Sequence, residues 1–351
     1  MVLRLNKSER KDGGISPILL FSVLILLLAA VVIGSLFFGS VVLDANTVID
    51  MIKAAFTGQP VEDKNTWNLL MQIRLPRIIL TGLAGMVLSV VGILMQTITR
   101  NPLAEPYVLG VSSGASAGAV GAIVLGWCSF AGTGKTFVSA FFGSFLAIGI
   151  VLLLQGRSTS PVRLVLTGMG VSSFFQAATT LIVYSASNEA QARSAMFWLV
   201  GSFSGAGWKD TKAVIWALAL LLIFCLLIGK ELDLLLLGQA TAAQMGLNVR
   251  RLQFLVVAVS SAAVAVVVSQ SGVIGFVGLI VPHIMRKFAG VRHRKLILAS
   301  ALGGAAFVAA ADTIARTVFA PREVPIGIMT SFAGAPIFIM IIKRAYHEDR
   351  D

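Results

Sequence analysis

Residues 74–118 read RLPRIILTGLAGMVLSVVGILMQTITRNPLAEPYVLGVSSGASAG. Two arginines, Arg74 and Arg77, open the stretch. An apolar run follows from Ile78 to Ile98, long enough to cross a bilayer at about 1.5 Å of rise per residue. The polar turn Asn101-Pro102-Leu103-Ala104-Glu105-Pro106 ends it. A second helix then begins, with small residues at the spacing of Gly110, Gly114 and Gly118. In a membrane that spacing lets two helix backbones approach closely. One stretch thus holds a charged patch, a crossing, a sharp turn and a close-packed helix, which suits a transport path better than a soluble enzyme.

The rest of the chain has the same character. Of 351 residues, 57% are hydrophobic and only 13% charged, with a mean hydropathy of +0.89. Soluble domains carry about 25% charged residues. The apolar runs are continuous rather than alternating, which favours helices over a membrane β-barrel. The formal net charge of +12 could suggest nucleic acid. The lysine and arginine bias of cytoplasmic loops explains it better, and no nucleic-acid partner is expected. Cys128 and Cys225 imply no disulfide framework.

The fold class expected is an all-α polytopic membrane protein of about ten transmembrane helices. The spans fall near 17–39, 76–98, 107–126, 136–155, 163–184, 212–229, 252–269, 273–287, 296–316 and 326–343. Residues 1–351 read as a single transmembrane domain. Residues 1–16 form an N-terminal tail, and residues 230–251 a connecting loop. The first span is too long for a signal peptide and lacks a clear cleavage site. With both termini in the cytoplasm, the inside segments hold the larger share of lysine and arginine. Spans two and three are a long helix, a break and a short glycine-rich helix. Spans seven and eight repeat that plan in the opposite sense. Inverted repeats with broken helices are a frequent transporter architecture. In the connecting loop, Gln239 to Met245 is a short polar helix stopped by Gly246, a handle for a partner or an ordinary connection.

Arg74, Arg77 and Arg316 stand at the outer ends of spans, against the charge bias. They read either as anchors that snorkel to lipid headgroups or as a positive ring for carboxylates of an external partner. Asp312 lies one turn before Arg316 and can pair with it. Gln96, Gln176 and Gln270 are polar groups inside apolar spans that line a path or bridge helices. Ala131–Thr136 reads AGTGKT, but Ser129 stands where a P-loop needs glycine, and the segment lies between two spans. His283, His293 and His347 form no metal-ligand cluster, and no catalytic constellation is visible. No metal site, cofactor or catalytic residue is expected in this chain.

Four motifs together carry a resemblance: RLPR at 74–77, NPLAEPYVLGVSSGA at 101–115, GFVGLIVPHIMR at 275–286 and EVPIGIMTSFAGAPIF at 323–338. In that order and spacing they resemble the FecCD-type permeases, membrane subunits of type II ABC importers for ferric siderophores, haem and vitamin B12. Length and ten-span plan are similar to those of the vitamin B12 permeases. The resemblance implies a pair of permease subunits, as a homodimer or as two similar chains, with the path at their interface. It implies two cytoplasmic ATPase subunits holding ATP and Mg. It also implies a periplasmic or lipid-anchored substrate-binding protein, and a place in the bacterial inner membrane. By residue, it implies docking of the binding protein at Arg74, Arg77 and Arg316. Coupling to the ATPase falls to Gly238, Gln239, Ala242, Gln244, Gly246 and Leu247. A cytoplasmic gate falls to Asn101, Leu103, Thr159 and Ser160, and a path lined by small residues would include Gly110, Ser112, Ser113 and Gly114.

The function expected is therefore a non-enzymatic permease subunit importing an iron chelate, with ferric siderophore as the default cargo. Haem, vitamin B12 and an oxyanion are the alternatives within the class. A secondary transporter driven by an ion gradient is the alternative outside it. That reading needs deep acidic residues, and no span has one at its middle.

Overall fold

The computed structural model describes residues 16–41, 43–57 and 63–348. Of the expected tail 1–16, all but Ser16 lies outside the described residues. Among the described residues the regular structure is entirely helical. In chain order the first helices are α1 (Pro17–Phe37), α2 (Ala45–Thr57), α3 (Lys64–Asn68), α4 (Leu75–Thr99), α5 (Val111–Val124), α6 (Lys135–Gln155) and α7 (Pro161–Tyr184). They are followed by α8 (Glu189–Val200), α9 (Trp208–Leu235), α10 (Gln239–Gln244), α11 (Val249–Ser271), α12 (Val277–Ala289), α13 (His293–Thr317) and α14 (Ile326–Glu348). Each expected span has its helix: α1, α4, α5, α6, α7, α9, α11, α12, α13 and α14. The short α2, α3, α8 and α10 lie between them.

The bundle is built round α4. It continues α3 through one π-helical turn, Leu69–Arg74, and 78% of its apolar stretch is buried, against 17% for α1. A helix apolar on every side belongs inside, and α4 is flanked by α9, α11, α12 and α13. At one end of the bundle, here the arginine end, lie Arg74, Arg77 and Arg316. At the opposite end lie the turn after α4, the start of α7 and the short α10.

Of the ten helices that match the expected spans, two are too short to cross a bilayer: α5 with 14 residues and α12 with 13. Each follows a long helix and a break, as the inverted plan requires. α4 runs from the arginine end and α11 from the opposite end. The spacing of Gly114 and Gly118 does what it predicts. A Cβ on either would collide with the α6 backbone, at Gly143 and Ser139 respectively, so α5 and α6 pack backbone to backbone. The AGTGKT segment is a 3-10 turn running into α6, with the α5 helix before it.

Candidate functional site

At the arginine end the three guanidinium groups are turned inward. Arg74, Arg77 and Arg316 are 4%, 6% and 3% exposed. This corrects the reading of headgroup anchors, because long-range partners are on offer inside. Arg74 donates to the carbonyls of Leu36 and Val41, both at 2.6 Å. It thereby caps the negative end of α1, whose last carbonyls have no helical partner. Arg77 grips Asp312 through Nε and Nη2, at 3.0 and 2.9 Å, and reaches Glu323 through Nη1 at 2.8 Å. Arg316 Nε stands 3.1 Å from Asp312 Oδ2, off the hydrogen-bonding angle. The expected pairing along α13 is present, but Asp312 is shared with Arg77 of α4.

Midway along α4 the two helix breaks meet. Gly278, at the head of α12, lies against the Leu88 carbonyl and Pro106. The segment 101–110 therefore climbs back from the end of α4 to half its height. There Tyr107 donates its hydroxyl to the Ile274 carbonyl at 2.8 Å and accepts from the Ile274 amide at 3.2 Å. Glu105 accepts from the Phe276 amide at 3.0 Å. Phe276 has φ of 69°, an uncommon conformation for a bulky residue, and its ring faces Phe338 and Gly334 of α14. Glu105 is the acidic residue that sequence reading missed. It sits in a turn by sequence and deep in the bundle by structure. Gln96 bridges helices, as one of its two readings has it. Its amide donates to the Gly278 carbonyl at 3.1 Å and its oxygen accepts from Arg286 at 2.8 Å. Gln176 is exposed and Gln270 half-buried.

The Tyr107 brace yields a direct expectation. Tyr107→Phe leaves both polar groups of Ile274 unpaired and should cost about 1–3 kcal/mol. A thermal melt in detergent checks it, with Tyr184→Phe as control because Tyr184 is 89% exposed. Equal midpoints for the two variants would mean that the Tyr107 hydroxyl does not brace Ile274.

At the opposite end, Asn101 accepts from the Leu103 amide at 2.9 Å, closing the turn after α4. Ser160 caps α7, and the Thr159 carbonyl accepts from Gln253 of α11 at 3.1 Å. Beneath that loop is a cleft of about 470 Å³, lined by Gln155, Ser158, Leu164, Asn248, Arg251 and Gln253 among others. Of the small residues expected to line a path, Gly110, Ser112 and Gly114 are buried, Gly110 against α7 and Gly114 against α6. Ser113 is half-buried, its hydroxyl donated to the Gly110 carbonyl.

The expected short helix is present as α10. Gly238 (φ 111°) precedes it and Gly246 (φ 89°) follows it, both in backbone regions that favour glycine. Ala242 is fully buried and seats α10, and the Ala242 carbonyl accepts from the Leu247 amide at 3.0 Å. Thr241, Gln244 and Met245 are exposed, and Gln239 is half-buried. The Arg100 guanidinium, at the end of α4, lies against Gly238. Nearby, His293 ties three helices, with Nδ1 2.7 Å from Asp233 of α9 and Nε2 2.9 Å from Thr97 of α4. Sequence reading gave His293 no partner, since these contacts span distant parts of the chain. Among the described residues no group of histidine, cysteine and acidic side chains could hold a metal.

A chain of broken helices, buried charge and an exposed polar helix has the anatomy of a transport subunit. The sequence matches the FecCD transport family over residues 26–344. The chain belongs to that family. It is 36% identical to the hemin transport system permease of Yersinia pestis over 95% of this chain and 98% of that one. It is 37% identical to the Fe(3+) dicitrate permease of Escherichia coli over 79% of this chain and 86% of that one. Its fold superposes on a solved metal-chelate type ABC transporter in an inward-facing conformation. That match has a TM-score of 0.82 and 32% identity, and covers 94% of this chain and all of the other. The FecCD-type chain is thus a multi-pass membrane permease subunit of the metal-chelate, haem and vitamin B12 class of ABC importers.

Proposed function

We propose that this chain is the translocation subunit of an importer for a ferric siderophore. A second permease subunit, two ATPase subunits holding ATP and Mg, and a substrate-binding protein complete it. The observation that carries the reading is α10, a six-residue helix held on the bundle by Ala242 between two hinge glycines, with its other face open. That is a handle for a partner, and it lies beside the turn after α4 through Arg100. Energy from ATP closing an ATPase pair would reach the helix breaks along α4, provided α10 makes different contacts in the two states. Asn101, Leu103, Thr159 and Ser160 would form the gate at this end. Ser113 is the member of its group best placed to meet a path.

In this reading the α10 end faces the cytoplasm with both termini, in the inner membrane of a bacterium. The arginine end faces the binding protein. The ferric dicitrate permease among the relatives supports an iron chelate; haem, vitamin B12 and an oxyanion are the alternative cargoes, and hemin and cobalamin permeases are similar to this chain to the same degree. Glu105 is an observation in favour of an ion-driven transporter, but its carboxylate is engaged by the Phe276 amide.

The test is co-purification from native membranes. Thr241→Arg and Gln244→Arg alter only exposed positions, so the chain should stay folded while the ATPase subunit is lost. If the wild-type chain brings down no ATPase, or takes up substrate alone in liposomes, the importer reading fails.

A further inference from the structure

The arginine-end cluster is closed on itself. Arg77 and Arg316 bring two positive charges, and Asp312 and Glu323 bring two negative ones, within 2.8 to 3.1 Å. Arg74 is engaged by the Leu36 carbonyl of α1 and the Val41 carbonyl that follows the helix. An approaching carboxylate therefore meets a covered cluster in which Arg77 already holds two carboxylates and only the charge of Arg74 is left over.

The two acids are not held alike. The Asp312 side chain is 1% exposed and serves both arginines. The Glu323 side chain is 26% exposed and makes one contact, at 2.8 Å, with Nη1 of Arg77. It rides on the segment between α13 and α14, beside the exposed Phe319, Pro321 and Arg322. Removing Asp312 would leave Arg316 with no carboxylate and Arg77 with Glu323 alone. Moving Glu323 leaves both arginines in contact with Asp312, Arg77 through two nitrogens.

We propose that Glu323 is a built-in competitor for Arg77. It holds the guanidinium edge that a carboxylate of the binding protein takes on docking, and it must swing out for docking to occur. The proposal rests on the reading of the arginine end as a docking surface. One carboxylate replaces another on the same edge, so docking gains only the difference between them. The return of Glu323 then helps release the partner.

The experiment uses the chain with its ATPase subunits in nanodiscs, titrated with the substrate-binding protein of the same importer. Glu323→Gln should bind it roughly tenfold more tightly at low salt, and with steeper salt dependence, because the cluster gains a net positive charge. Loss of a merely structural contact would weaken docking instead. Unchanged or weaker binding by Glu323→Gln overturns the proposal. Arg77→Lys separates the two levels. If it weakens docking while Glu323→Gln does nothing, the docking surface stands and the competitor falls. If neither Arg77→Lys nor salt alters docking, the surface itself is wrong and the competitor goes with it. Should Glu323→Gln not assemble, Glu323→Cys carrying an anionic thiol adduct should dock like the wild type, and a neutral adduct more tightly; the reverse order refutes it.

Discussion

Asp312→Ala is expected to destabilise the chain by about 3–5 kcal/mol, the cost of stranding a buried charge by removing its partner. Asp312 is 1% exposed, is gripped by two nitrogens of Arg77 and has an ion contact with Arg316. Without it, Arg77 keeps only Glu323, and Arg316 keeps a 3.3 Å contact with Thr313. Two guanidinium groups would then stand close together, buried, with one carboxylate between them. The cost should fall in part when a charge leaves with the carboxylate, so Arg316→Met with Asp312→Leu should be more stable than Asp312→Ala alone. Thermal melts of the three proteins in one detergent decide it. Equal midpoints for wild type and Asp312→Ala would mean that water reaches the cluster and that the charges are not buried in solution.

This cluster marks where sequence reading stops. The spacing of Asp312 and Arg316 gives their contact, since residues one turn apart on a helix are neighbours. It says nothing of Arg77, which lies 235 residues away along the chain and supplies the stronger grip. The same division runs through the fold. The long spans are legible because apolar length decides what crosses a bilayer, and the inverted plan because each half follows a long apolar run with a short glycine-rich one. α10 is legible because two glycines bracket a short polar helix. Glu105 is not, because its depth depends on how far the segment after α4 climbs back, and only the contact of Pro106 with Gly278 shows that. Nor is His293, whose partners Asp233 and Thr97 come from two other helices. Tertiary pairing, rather than local pattern, places the chemistry.

A second large effect is expected at a glycine that no spacing rule singles out. Gly92 lies in α4 where α12 begins, and a Cβ there would overlap the backbone of Gly278. Backbone cannot rotate away as a side chain can, so Gly92→Ala must push α12 off α4. Overpacking a close contact costs about 1–3 kcal/mol, occasionally more. The upper end is expected here, because the shift also breaks the bonds of Gln96 to Gly278 and Arg286. Those bonds tie both the first and the last turn of α12 to α4, and α12 is the half-helix on which the break turns. Gly149→Ala is the matched control: it sits inside α6 with nothing within 4 Å, and should gain about 0.5–1 kcal/mol from helix propensity. Opposite shifts of the melting midpoint in the two variants support the contact. A Gly92→Ala chain as stable as the wild type would mean that α4 and α12 stand farther apart, and the tie from the end of α4 to the helix breaks would lose its basis.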